Sequence, residues 1–443
     1  MTLKRINRVR IGKLSGTPVF DQVENFTAAS MVGAAYTDLE MTNASTVELS
    51  SPQIEISGQR GDGQTPPGVS GNRDGAPSLA FYMRGLDLSG GAANGVDAST
   101  AVPQYNMLLE QATGGTVRNI AGEDVIAGST RWVLQFGAGR VAAVGYAVGD
   151  VVGWVSPVSG KMECLPIVDV AGGADKITVA GHAVNGTGGF SGAPAITDDI
   201  YGMRTYPVDQ TAGARPHIAV HAELAQSGVE RFVLGCMGSA SFSDADGLLL
   251  ATWAAQAQDW KTPAEITGEP VFSAFVPPNL GPVSTRGARV IICAEKDWGV
   301  SSAGVFSDTD VAVATAISGS LDLATDIQQR TAATGNNGRQ GFVAVQNTCN
   351  AELRLYHDGT TAALLAGSSQ TFGDGALLEF MADQTTSLLM QFGDQPGNTV
   401  VLEIACYQAN AVLGEEGGLA TIDLTGRGFR PAYSTATAKV HLL

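Results

Sequence analysis

One internal similarity constrains this chain more than any other feature. The block Phe232–Leu249 can be laid without gaps on Leu402–Leu419, so that Phe232, Leu234, Cys236, Phe242, Gly247 and Leu249 fall on Leu402, Ile404, Cys406, Val412, Gly417 and Leu419. In each copy an alternating strand runs into an acidic, Gly-containing turn and a second strand returns. Upstream, Ile54-Glu-Ile sits on Leu321-Asp-Leu, and Leu79-Ala-Phe-Tyr-Met-Arg-Gly sits on Leu353-Arg-Leu-Tyr-His-Asp-Gly. The order strand, long loop, strand, helix, strand, acidic turn, strand therefore occurs twice, which argues for a duplicated unit.

The dominant period along the chain is two, as in Thr46-Val-Glu-Leu and Arg131-Trp-Val-Leu-Gln-Phe, with turn signals such as Asp246-Gly and Gly335-Asn-Asn-Gly between the runs. Helical patterns are few, and Pro103–Ala112 and Ala376–Asp383 are the best of them. The expected fold is mainly β. Pro263, Pro270, Pro277, Pro278 and Pro282 make residues 261–285 an extended connector, since proline cannot donate to a sheet ladder. Residues 1–260 then form the first unit and 286–443 the second. Ile54 and Cys236 are 182 positions apart, whereas Leu321 and Cys406 are only 85 apart. The first unit thus holds about a hundred extra residues, placed at 116–215, whose own β rhythm suits a small inserted β-domain.

Charge narrows the function. Charged residues make up 16% of the chain, and 26 Lys+Arg against 43 Asp+Glu give a net −17. Attraction to phosphate needs clustered cations, so a basic nucleic-acid binder is excluded. So few charges suggest a surface largely covered by other copies of the chain. The longest apolar runs, such as Val290–Ala294, are far shorter than the roughly 20 residues of a membrane span. No apolar segment follows the basic start, so no secretory signal is expected. Five widely spaced cysteines without a C-x-x-C pair read as buried thiols in a reducing compartment.

Motifs with chemical meaning each have a plainer structural reading. Gly137-Ala-Gly-Arg-Val-Ala fits a dinucleotide fingerprint, but Gly145, Gly149 and Gly153 interrupt the helix that should follow. Asp244-Ala-Asp-Gly opens like a calcium loop without its closing Glu, and Glu415-Glu-Gly-Gly is equally incomplete, so both are expected to be solvated hairpin turns, with a cation bridging subunits the alternative. Arg60-Gly-Asp belongs to a Gly/Pro loop. His217 and His221 lie in an alternating segment, which puts them on one face of a strand rather than in a metal or hydrolase site. Gly189-Phe-Ser-Gly lacks the last glycine of a nucleophile elbow, because Ala193 stands there. No residue set supports an enzyme, and no cofactor or metal is expected.

Three blocks resemble the tail tube (major tail) proteins of long, non-contractile-tailed bacteriophages. They are Ser78–Leu86 followed by Pro103–Ala112, the Leu234–Leu248 hairpin, and Leu321–Gly335 with Arg330 in the matching place. The inserted block and the length depart from that family. The resemblance implies two tandem tail-tube-type β-sandwich or half-barrel domains, each with a short helix, whose sheets join between subunits around a central bore. It implies a structural virion protein, made in the host bacterial cytoplasm, that polymerises into stacked rings and conducts DNA during ejection. The duplication favours three chains per ring with pseudo-six-fold symmetry. Implied partners are further copies of the chain and the tape measure, tail terminator and distal tail proteins, while phage DNA passes without specific binding. Asp244, Asp246, Glu415 and Glu416 are candidate sources of a repelling field in the bore. Arg60, Asp62, Arg73, Asn336, Asn337 and Arg339, in the loops Arg60–Gly75 and Thr331–Arg339, are candidates for stacking one ring on the next. A distal tail or baseplate hub protein, and a carbohydrate-binding surface module, are the competing readings.

Overall fold

A computed structural model describes residues 6–14, 23, 26, 36–51, 53–54, 69–70, 73–88, 102–180, 189–209, 215–224, 229–266, 277–293, 311–331, 339–356, 386–429 and 436–443. Among the described residues the fold is mainly β, with 63% of them in strands, two α-helices, several antiparallel sheets and a half-barrel.

Two ladders share one pattern. In the first, Ile6–Leu14 pairs with Tyr36–Leu39 and His217–Leu224, and the latter pairs with Val229–Ala245. That strand turns into Leu248–Gln256, which pairs with Asp74–Tyr82, itself paired with Thr46–Ser50. Asp259–Lys261 returns along Phe232–Leu234. In the second, Arg289–Cys293 pairs with Val311–Thr331 and Thr386–Gln395, and the latter pairs with Asn398–Glu416. That strand turns into Leu419–Gly428, which pairs with Arg339–Tyr356, itself paired with Val311–Thr331. Ala436–Leu442 returns along Val400–Ile404. All these pairings are antiparallel, and each pairing in one ladder has its counterpart in the other.

The registers correct the gap-free match by one residue. Cys236 faces Ile218 and Val233 faces Val220, leaving one extra residue in the longer strand at Gly235, whose φ of 67° is the left-handed conformation glycine tolerates best. The same bulge sets Tyr407 against Thr386 and Ile404 against Leu388. Cys236 therefore corresponds to Tyr407, not Cys406, and Phe242 to Leu413, not Val412. A second correction concerns Leu321-Asp-Leu. Leu321 and Leu323 face Ala351 and Cys349, and the residues in those places beside Asp74–Tyr82 are Val47 and Leu49, which face Pro77 and Gly75. Val47-Glu-Leu is the true counterpart; Ile54 belongs to the short pair Gln53–Ile54 and Val69–Ser70.

The ladders are joined edge to edge, with Ala240–Phe242 pairing antiparallel with Leu321–Leu323. Eight strands thus run in one continuous order: Thr46–Ser50, Asp74–Tyr82, Leu248–Gln256, Val229–Ala245, Val311–Thr331, Arg339–Tyr356, Leu419–Gly428 and Asn398–Glu416. Alternation sorts their side chains. Val47, Leu79, Phe81, Trp253, Phe242, Leu321, Leu353 and Leu424 are buried in one shared core. The helix Asn106–Thr113 packs on this core with Met107, Leu108, Leu109 and Ala112 and ends at Gly114 (φ 75°), whose N–H caps the Glu110 carbonyl. Its Gln111 Oε1 accepts from Trp253 Nε1 at 2.7 Å and from Gly238 N at 3.2 Å. The proposed helix at Ala376–Asp383 lies outside the described residues.

A separate six-stranded sheet contains Glu123–Asp124, Asp199–Tyr201, Val151–Val155, Met162–Ala171, Lys176–Val179 and Val133–Gln135, in that order. Its core, which includes Trp154, Leu165, Phe190 and Ile200, also takes in Ile291, Leu389, Val401 and Leu443. This sheet therefore packs on the second ladder, although in sequence it interrupts the first. Gln391 fastens it, accepting from Cys164 N at 2.9 Å and donating to Met162 O at 2.8 Å.

Candidate functional site

The surface with the strongest functional character is the polar face of the eight-stranded sheet. Side chains alternating with the core positions point there, among them Glu48, Ser78, Thr252, Ser241, Asp322, Glu352, Asp423 and Thr425. Across its centre, carboxylates at Glu48, Asp322, Asp326, Glu352 and Asp423 outweigh the cations Arg354 and Arg427. Arg354 is committed to its neighbours, with Nε 2.6 Å from Asp423 Oδ1 and Nη1 3.2 Å from Glu416 Oε2. Partial burial pushes the Asp322 carboxyl up from its ordinary value. A face of small hydroxyls and net acid offers no cradle for phosphate.

The two acidic hairpin tips differ in detail. Asp246 (φ 57°) and Gly247 (φ 82°) form one turn, and Gly417 (φ 60°) and Gly418 (φ 82°) the other. Positive φ at both central positions is the type I′ geometry that matches strand twist. Asp244 lies on the same side of its strand as Phe242 and fastens the tip, accepting from Gly247 N at 2.9 Å and from Thr285 Oγ1 at 2.8 Å. Asp246, Glu415 and Glu416 are exposed, and Glu416 meets Arg354.

Of the loop candidates, Arg60, Asp62, Asn336 and Asn337 lie outside the described residues. Arg339 opens the strand Arg339–Tyr356 opposite Thr331. Arg73 is held within the chain: its guanidinium stacks 4.8 Å above the Trp260 ring, donates to Trp260 O and pairs with Glu265 at 2.8 Å.

The chemical motifs resolve into structural roles. The glycine motif at Gly137 leads into a helix of five residues, Arg140–Val144. Asp175 accepts from the backbone N–H of Gly139 at 2.9 Å, occupying the place a phosphate would need. Ser191 Oγ meets Ser156 Oγ at 3.0 Å rather than a histidine. His217 and His221 do share a strand, His217–Leu224, where burial pushes the His217 imidazole down to about 4. His221 stacks on Phe232 with ring centroids 4.1 Å apart and lies 2.8 Å from Glu230 Oε2. His441 and Lys439 bracket the buried Glu403 at 2.8 and 3.0 Å. Among the described residues no group of three or more His, Cys, Asp or Glu is placed to hold a metal ion.

Sequence reasoning missed one surface. Val412, Leu413 and Leu419, at the outermost hairpin of the second ladder, are 60%, 50% and 57% exposed. The gap-free internal match sets Phe242 on Val412, so the contrast between the wholly buried Phe242 and its counterpart, the exposed Leu413, emerges only from the strand registers. Comparison with protein-family models and with curated proteins returns no match.

Proposed function

We propose that the chain is a structural subunit that closes into rings with copies of itself, and that stacked rings form the tail tube of a long, non-contractile-tailed bacteriophage. On this reading the two ladders are tandem tube domains. The observation that carries it is the edge-to-edge joining of two like ladders into one sheet, with an apolar core on one face and a polar, net-acidic face on the other. Such a sheet continues naturally into further copies of itself. Three chains would supply 24 strands. At a spacing of about 4.8 Å and a tilt of about 40°, 24 strands close into a barrel about 48 Å across at the backbone. The polar face would line the bore and repel the phosphates of DNA passing through it.

Electron microscopy of the purified full-length protein tests this reading. Long hollow tubes of stacked three-fold rings are the expected result. Single rings that never stack would point instead to a distal tail component, and a persistent monomer at high concentration would overturn the assembly reading altogether. Glycan-array binding by the whole chain without assembly would favour a carbohydrate-binding module.

A further inference from the structure

We infer that the seam between copies pairs Ala411–Leu413 of one chain with Val47–Leu49 of the next, antiparallel, with Leu413 opposite Val47, Val412 opposite Glu48 and Ala411 opposite Leu49. This rests on the ring-forming reading and specifies the surface that makes the ring.

The argument is carried by the seam inside the chain. There, Phe242 faces Leu321, Ser241 faces Asp322 and Ala240 faces Leu323. The shared bulge and turn registers make Ala411, Val412 and Leu413 the counterparts of Ala240, Ser241 and Phe242. The pairing with Asp74–Tyr82 and Arg339–Tyr356 makes Val47, Glu48 and Leu49 the counterparts of Leu321, Asp322 and Leu323. Each ladder therefore has a donor edge and an acceptor edge. The first ladder's Ala240–Phe242 edge and the second's Leu321–Leu323 edge satisfy each other. The second ladder's Ala411–Leu413 edge and the first's Thr46–Ser50 edge carry no strand partner among the described residues.

The apolar side of the inferred seam matches that of the observed one, while on the polar side Val412 stands in the place of Ser241. Leu413 shares the side of its strand with the buried core residue Ile422, and Ala411 stands in register opposite the buried Leu424. Val47 and Leu49 are buried on the corresponding side of theirs, so the apolar side would continue across the seam. On the polar side Glu48 stands where Asp322 stands, one carboxylate for another. The half-exposed Leu413 is the strongest single sign, because its counterpart Phe242 has no exposed surface once a neighbouring strand is in place. An exposed strand edge flanked by large apolar side chains is a template for a further strand.

Cysteine cross-linking in the full-length chain tests the register. Directly opposed residues on antiparallel strands have Cα atoms about 4.5–5.5 Å apart, within the span a disulfide accepts. Glu48 and Val412 are both exposed, so the double variant E48C/V412C is expected to fold; of the five native cysteines Cys164, Cys236 and Cys349 are buried and free, and Cys293 and Cys406 are replaced by alanine in every variant. On mild oxidation of assembled protein, nearly every chain is expected to shift to linked dimers and closed trimers on non-reducing gels, while E48C and V412C alone stay monomeric. Val412→Glu, which sets a second carboxylate against Glu48, is expected to raise the concentration needed for assembly at least tenfold at low salt and less at high salt. Rings visible by microscopy without E48C/V412C linkage would overturn the seam and leave the ring reading standing. Linkage by the out-of-register pair S50C/V412C in its place would overturn the register. Failure of the unmodified chain to assemble would remove both.

Discussion

Arg215 is the side chain whose loss should be felt most widely, because it ties the two ladders together through the end of the helix. Its Nη1 donates to Ala112 O at 2.7 Å and to Thr325 Oγ1 at 3.0 Å, and its Nη2 donates to Asn347 Oδ1 at 2.7 Å. The guanidinium is buried, and that burial pushes its pKa down to about 10. It meets the carbonyls that the helix Asn106–Thr113 leaves unpaired at its C-terminus, where a cation is favoured. In Arg215→Met the Ala112 carbonyl and the Asn347 amide oxygen both stay buried without their donor, at about 1–3 kcal/mol each. Relief of the guanidinium's desolvation offsets part of that loss. A net destabilisation of about 3 kcal/mol follows. A cooperative unit of 443 residues unfolds with an entropy of about 0.9 kcal/mol/K, so the midpoint should fall by about 3 °C. Differential scanning calorimetry of the unassembled chain reads this directly. Arg215→Lys, which keeps the charge without the fork, should fall between the two. A midpoint for Arg215→Met within about 1 °C of the unmodified chain would refute the claim that this contact fastens the ladders.

Three further outcomes are expected. His217 is held neutral by burial, with its pKa lowered from 6.5 to about 4; the unfolded chain binds the proton more readily, so this group's stabilisation is complete above pH 6.5 and is lost as pH falls toward 4. Its share is up to about 1.4 kcal/mol per pH unit in that window, and urea titrations of His217→Gln should show a correspondingly shallower pH slope; an unchanged slope would reject the assignment. Gly85→Ala would put a Cβ 2.0 Å from the Leu443 carbonyl oxygen and 2.4 Å from that of Gly397. Backbone must move to admit it, at a cost of about 3 kcal/mol, and a thermal midpoint equal to that of the unmodified chain would contradict this packing. Phe242→Ala should cost about 3–5 kcal/mol, whereas Leu413→Ser should leave the lone chain's stability within about 0.5 kcal/mol and weaken only assembly; equal losses from both would deny that Leu413 is exposed before assembly.

Local chemistry made the hairpins and the helix legible. Asp246-Gly247 was readable as a turn because aspartate and glycine tolerate positive φ, and both adopt it. The helix expected at Pro103–Ala112 forms at Asn106–Thr113 because Leu108 and Leu109 share a buried side and Gly114 stops it. His217 and His221 were correctly placed on one strand by alternation. Register was less accessible. Both ladders carry the bulge, so it does not shift one copy against the other; the gap-free match is out by one along its whole length because aligning Cys236 with Cys406 outweighs a weak alternation. Period-two patterns are also self-similar, and Ile54-Glu-Ile reads as well as Val47-Glu-Leu until the partner strand is known. Arg215 stands alone in Gly-Ala-Arg-Pro, and nothing local marks it as the residue reached by Asn347, 132 positions away.

The same arithmetic of edges explains why a doubled chain suits a ring. Any unit with one donor edge and one acceptor edge associates head to tail, and the rotation between neighbours decides whether a ring closes or a helical filament grows. Here one of those rotations is already fixed by covalent connection and by the Ala240–Phe242 seam with Leu321–Leu323. If the seam between copies repeats its register, it repeats its twist as well, so the ring is built from equal steps although only alternate steps are intermolecular. Chain doubling then halves the number of seams that must form by diffusion. On the ring-forming reading the remaining intermolecular seams are the vulnerable ones, and the proposed seam runs through the exposed Val412 and Leu413.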